Sequence, residues 1–320
     1  MASASDDLKA QGTFTGGMFS TLASLAAFLR HETTSAGRIV AFFDNGVPPA
    51  RLRRIPGYKQ ARKARNALLP NGEKVMAFRQ MHYARKMLES LGVVCSSFRQ
   101  READDCVMGA VRVLTARKER CVVVSSDKDL WQAVHFGARV WCLGKKVWLD
   151  QDNFEDTAGV PPSLYVLYKA LVGDPSDSIK GATGCGSTRA AKLLEEAEGL
   201  EVPLSQVWPP RAQLSDVFSY ITAKSKPQKF ELEMLADYER LADEIEGIDM
   251  SESFGGRGIM VQLLERSPKV APLKLIQRAR RFGLPEASSI TRFADPFVWA
   301  GVRRDGKRRK KRLDRVERVK

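Results

Sequence analysis

Histidine is scarce: His31, His82 and His135 are the only three in 320 residues, and they lie far apart. No two of them have the spacing of a zinc site. Cysteine is hardly richer. The five, Cys95, Cys106, Cys121, Cys142 and Cys185, include no C-x-x-C pair, and four sit in or beside apolar runs. There cysteine usually behaves as a small buried hydrophobe. An odd count with no secretion signal argues for reduced thiols. Catalysis is therefore expected to rest on carboxylates, hydroxyls or amines. Long apolar runs are also missing. Residues 18–29, the longest near the start, hold three Ser/Thr and are too short to span a bilayer. The first twelve residues show no basic-then-apolar pattern. A soluble, cytoplasmic, monomeric protein without a membrane role is the expectation.

Acids are in deficit. Lys and Arg number 52 against 38 Asp and Glu, a net charge of +14. A hydrophobic fraction of 43% is globular, which excludes a wholly disordered, collagen-like or coiled-coil chain. The excess charge is local. Residues 303–320 carry a net +8, and residues 51–65 carry +7 with no acid, leaving the remaining 287 residues at −1. Two basic patches on a near-neutral body suggest a polyanion partner, although each alone could be solvated surface. The tail lacks the apolar face of a membrane-surface helix, which favours nucleic acid.

Apolar runs at 38–44, 93–98, 121–127 and 139–143 read as buried parallel strands. Amphipathic segments at 15–30, 73–91 and 104–117 separate them. This alternation implies an α/β fold with a mainly parallel sheet. Beyond about residue 163 the pattern is helical, at 163–172, 187–197, 213–224, 229–246 and 273–282. Three regions follow: an acidic α/β domain at 1–162, a helical region at 163–300, and a basic tail at 301–320 too poor in apolar residues to fold alone.

Acids gather where a parallel sheet binds ligands, beyond the carboxyl ends of its strands. Asp44 and Asp127 end apolar runs, Asp129 follows, and Glu102, Asp104 and Asp105 open a helix after the run at 93–98. Each could be a cap or turn former. Six on one edge are harder to explain that way. Two carboxylates about 4 Å apart repel by roughly 4 kcal/mol at an effective dielectric of 20. The cluster is expected to need divalent cations, and oxygen-only ligands suit Mg²⁺ or Mn²⁺. Further on, Gly173-Asp174 and Asp177 precede Gly181, Gly184 and Gly186, with a helix starting near Ser187. Glycines permit close backbone approach, and free amides at a helix start suit phosphate. Residues 163–197 thus read as a helix–loop–helix phosphate clamp indifferent to base sequence.

Five segments, in order, resemble the 5′ nuclease family of flap endonucleases, the 5′ nuclease domain of bacterial DNA polymerase I and phage 5′–3′ exonucleases. They are Phe43-Asp44 followed by Arg51 and the run from Pro56 to Arg62; Glu102-Ala103-Asp104-Asp105; Ser125 to Leu130; Leu171 to Ile179, with Ser178 in place of the usual Asn; and the hairpin from Gly181 to Leu194. The likeness covers roughly residues 12–200. The later helices look most like phage members.

The resemblance implies a PIN-like sheet flanked by helices, with a helical arch at about 60–90 and a C-terminal helix–hairpin–helix region. It implies two divalent ions, a tighter one held by Asp44, Glu102, Asp104 and Asp105, and a second completed by Asp127, Asp129, Asp174 and Asp177. Lys59 and Arg62 at the foot of the arch would act on the scissile phosphate. Arg51, Tyr58, Lys59, Arg62, Gly181, Gly184, Gly186, Ser187 and Thr188 would contact DNA, with K⁺ on the hairpin carbonyls. Tyr58 would stack on a terminal base or serve the structure. The implied activity is 5′–3′ exonuclease and flap endonuclease cleavage of DNA, and of RNA in hybrids, in replication and repair. Family members open with an apolar strand ending in Asp, and here the eleven residues before Gly12 do not fit it. One strand and one acid are therefore expected to be absent. The alternative that this raises is a structure-selective DNA-binding protein that does not cleave.

Overall fold

The computed structural model describes residues 9–10, 13–14, 22–25, 27–29, 38–68, 71–250 and 257–266. The expected helix at 273–282, the tail at 301–320, Asp6 and Asp7 lie outside them. Two compact units interleave along the chain.

The first unit comprises residues 1–43, 69–96 and 262–320. Strands β1 (Lys9–Ala10) and β2 (Thr13–Phe14) pair antiparallel. Strands β3 (Val40–Phe42) and β4 (Val94–Ser96) pair parallel, Ala41 opposite Cys95. Leu22, Ala84, Met87, Leu88, Leu91 and Val93 form the core here, joining helical residues near 22–29 to the long helix Asn71–Ser90.

The second unit comprises residues 44–68 and 97–261. It opens with helices α1 (Pro49–Arg54) and α2 (Gln60–Leu68), and the first unit's Asn71–Ser90 helix is α3. Helix α4 (Ala103–Ala116) turns Cys106, Met108, Ala110, Val111 and Val113 inward. Strand β5 (Val122–Ser125) leads through a 3₁₀ stretch, Lys128–Phe136, to the parallel β6 (Arg139–Cys142). Strand β7 (Val147–Leu149) then returns antiparallel. Its three residues are too few for alternation to reveal it. Helices α5 (Phe154–Ala158) and α6 (Tyr165–Val172) follow. Among the described residues no ladder joins β3–β4 to β5–β7, so the expected single sheet appears as separate ladders.

Beyond the glycine hairpin come α7 (Ser187–Glu198), α8 (Pro210–Ala223), α9 (Lys229–Leu235) and α10 (Tyr238–Ile248), then α11 (Arg257–Glu265). The single helix expected at 229–246 is broken at Ala236-Asp237. Asp237 turns aside to accept a hydrogen bond from Thr183 Oγ1 at 3.1 Å. The break re-aims α10, which buries Leu241, Ala242, Ile245 and Ile248 on one face. No described helix is long and apolar enough to cross a membrane.

Candidate metal centre

Asp44 lies just past β3, in the second unit. Its Oδ1 accepts the Ala103 amide at 2.7 Å, one of the four amides at a helix start without an intrahelical partner. Backbone bonds from Asn45 N to Arg101 O (3.0 Å) and from Gln100 N to Asn45 O (2.8 Å) bind the two loops together. Gly46 makes this approach possible, at φ +103°, where a Cβ would lie 3.4 Å from Gln100 Cα. Helix α4 then starts with three acids in four residues. Asp105 reaches back to the Glu102 amide at 3.1 Å, as a capping residue does. One oxygen from each of Glu102, Asp104 and Asp105 lies within 4.8 Å of the others. Among the described residues no group of this kind includes Asp44, Asp127, Asp129, Asp174 or Asp177.

The chain carries its own counter-ions into this cluster. Arg51, on α1, donates from Nη1 to Glu102 Oε2 and from Nη2 to Asp105 Oδ1, both at 2.7 Å. Tyr58 Oη donates to Glu102 Oε2 at 3.1 Å, and Lys59 Nζ reaches Glu102 Oε1 at 2.5 Å. Arg62 pairs with Asp177 at 2.9 Å, while Lys59 stands 4.0 Å from it. Lys169, on α6, binds Asp129 and also Asp174, the latter at 3.3 Å. Four cations thus pair with five of the eight acids, so part of the repulsion expected to need divalent ions is offset by the chain itself. Asp44, Asp104 and Asp127 have no ion pair among the described residues.

Arg51 and Tyr58 are each only 4% exposed, so neither faces DNA. Both were expected to touch it. Burial among carboxylates gives them an internal role instead. Lys59 is partly buried and Arg62 exposed, its side chain 44% accessible. Lys59 holds φ +54°. That left-handed backbone costs a side-chain-bearing residue about 1 kcal/mol, and it aims the ammonium at Glu102.

The electrostatics divide the acids. Burial raises the Asp104 carboxyl, and Asp105 and Glu102 add to it, up to about 7. Burial would also raise Glu102, but Lys59 and Arg51 outweigh it and hold that carboxyl below the usual range. Burial raises Asp177, against Lys59 and Arg62. Asp174 falls despite burial, through its bonds from Ser176 and the charge of Lys169. Asp127 Oδ1 accepts the Asp129 amide at 2.9 Å and caps the 3₁₀ stretch.

The hairpin is held from two sides. Asp174 and Ile179 exchange two backbone bonds of 2.9 Å. Gly173 and Gly181 pass so closely that a Cβ on either would lie 2.7 Å from the other's backbone segment. Ser178 has φ +65°, a left-handed position that Asn tolerates better, which gives the departure from the family motif a physical meaning. From behind, buried Glu244 accepts the Lys180 and Gly181 amides at 3.1 and 3.3 Å, and Arg240 donates to the Gly181 carbonyl at 2.9 Å. Sequence reasoning missed these α10 residues. The one available signal was the helical spacing of Asp237, Arg240 and Glu244. On the outer side Gly184, Gly186, Ser187 and Thr188 are exposed where α7 begins, whereas Gly181 is buried.

The family described as 5′–3′ exonuclease, N-terminal resolvase-like domain, matches residues 2–159. A 5′–3′ exonuclease of Bacillus subtilis is 32% identical over 185 residues, covering 54% of this chain and 59% of that protein. Flap endonuclease Xni of Tolumonas auensis is 28% identical over 165 residues, covering 52% and 60%. The chain thus spans less than two thirds of these relatives' length. A solved structure of T5 5′-exonuclease with bound zinc superposes with a TM-score of 0.59 over 90% of this chain and 91% of that one, at 18% identity. That likeness is one of fold.

Proposed function

We infer that the chain is a member of the 5′ nuclease family and a divalent-metal-dependent 5′–3′ exonuclease and flap endonuclease, from the family match over residues 2–159 and the acid cluster. One observation carries the reading. Asp104 is a partly buried carboxylate between two other acids, with no ion pair among the described residues. Such a donor set fits a hard ion, Mg²⁺ or Mn²⁺, better than it fits solvent. Asp104, Glu102, Asp105 and Asp44 are the residues to hold it, with Asp127, Asp129, Asp174 and Asp177 around a second. The ions supply Lewis acidity at the phosphate.

The protein's own groups do the rest. Arg62, exposed beside Asp177, and Lys59 behind it orient the scissile phosphate and offset the charge that builds on it. The exposed start of α7 presents amides to duplex phosphates. Backbone carbonyls of the hairpin are the groups that would hold a K⁺. The substrates are DNA with 5′ ends or flaps and RNA–DNA hybrids, bound by a monomer.

A second reading, structure-selective DNA binding without cleavage, is favoured by the internal pairing of five acids. A flap substrate labelled at its 5′ end, incubated with and without Mg²⁺ or Mn²⁺, decides between them. Metal-dependent release of short 5′-phosphorylated products is the expected result. Asp104→Asn should lower that rate by about 10²–10³-fold while leaving DNA binding nearly unchanged. Binding without cleavage in either metal would establish the second reading.

A further inference from the structure

We propose that Arg51 is the positioning residue of the metal centre. Four of the five N–H groups of its guanidinium reach three residues. Nε donates to the Gly247 carbonyl at 2.8 Å, Nη1 to Glu102 Oε2 at 2.7 Å and Nη2 to Asp105 Oδ1 at 2.7 Å. A guanidinium is a rigid planar fork, so fixing one edge fixes the direction of the others. Here the fixed edge is the end of α10, which Gln132 also ties down through Ile248 O at 3.2 Å and Met250 N at 3.0 Å. The free edge sets the separation of the two carboxylates that flank Asp104.

The charge matters as much as the geometry. Asp105 is fully buried and Glu102 is 6% exposed. Without Arg51 the fully buried Asp105 would have no counter-ion, since no other cation pairs with it among the described residues. Arg51 is only 4% exposed, so it has no surface from which to reach a phosphate. It acts on the reaction through Glu102 and Asp105 alone. A lysine would keep the charge, but its point-like ammonium lacks the fork that spans all three acceptors.

The inference rests on the metal-binding reading above, and the test separates the two. Mn²⁺ binding to the full-length wild type and to Arg51→Lys is measured by calorimetry, together with flap binding without metal. Loss of a group that orients metal ligands should weaken Mn²⁺ binding about 10–100-fold. DNA affinity should stay within about twofold, because Arg51 makes no phosphate contact. A purely structural role would lower thermal stability without moving Mn²⁺ affinity. An unchanged Mn²⁺ affinity in folded Arg51→Lys overturns the proposal. Should Arg51→Lys not fold, the wild type decides by NMR of the Arg51 guanidinium. Signals that stay hydrogen-bonded through an Mg²⁺ titration support positioning, and release of the side chain on Mg²⁺ binding overturns it. A wild type that binds no Mn²⁺ overturns the metal reading and this inference with it. Binding by the wild type with no effect of Arg51→Lys overturns the inference alone.

Discussion

The ammonium of Lys59 lies 2.5 Å from a carboxylate oxygen of Glu102. A residue proposed to act on phosphate is thus held on one of the acids proposed to hold metal. The two proposed partners compete for it, so metal, lysine and substrate are linked at this point. Replacing Lys59 by Met should lower single-turnover cleavage at saturating metal by about 10²-fold, the effect of losing one donor to transition-state charge. Rapid-quench measurement checks this, and an unchanged rate would remove Lys59 from the mechanism.

Ser178 sits at φ +65° in the hairpin. Ser178→Asn relieves part of that backbone cost and should stabilise the protein by about 0.5 kcal/mol, with Ser178→Gly similar. Thermal melts of both variants test this. A fall in Tm for both would mean that the Ser178 side chain contributes something its backbone angle does not reveal.

Gly173 has the opposite tolerance. Any Cβ there would meet the Lys180 carbonyl at 2.7 Å, at φ +82°. Backbone cannot yield as a flexible side chain can. Gly173→Ala should cost about 2 kcal/mol or more and weaken duplex binding through the hairpin. Urea unfolding with a parallel binding titration would show the two losses together, and loss of stability alone would detach the hairpin from DNA.

His135 is stacked on Trp208, ring centroids 4.5 Å apart. Burial, with the nearby Arg112 charge, pushes its pKa below the ordinary 6.5. As pH falls below 6.5 the unfolded chain takes up this proton before the folded one does. Stability should therefore decline from about pH 6.5 downward through the folded pKa and be unaffected by His135 above about pH 6.5. His135→Phe keeps the stacking and removes the proton site, so its loss of Tm from pH 7 to pH 5 should be smaller than that of the wild type. Equal losses would show that other groups govern the acid limb.

Much of this was legible one residue at a time. Asp44, Glu102, Asp104, Asp105, Asp127, Asp129, Asp174 and Asp177 stand out because acids at the ends of apolar runs and around glycine turns are local patterns. The strands at 40–42, 94–96, 122–125 and 139–142 likewise follow from uninterrupted apolar runs. The break before α10 was not legible, and the Asp237 there is bonded by Thr183, 54 residues away in sequence. Nor was the fate of Arg51, which looked like one more charge in a basic run.

The sequence alone carried the family resemblance, the kind of ligand proposed for the acids and the neighbourhood of the cations proposed to act on phosphate, since spacing and residue type are local properties. Only the tertiary structure decided which charges oppose each other. Arg51 turns inward to Glu102 and Asp105, Lys169 to Asp129 and Asp174, and Asp104 has no ion pair among the described residues. Ion pairing falls off steeply with distance and with exposure to water. Which acid keeps a cation is therefore fixed by a few ångströms of packing between segments distant in the chain, and no local pattern carries that information.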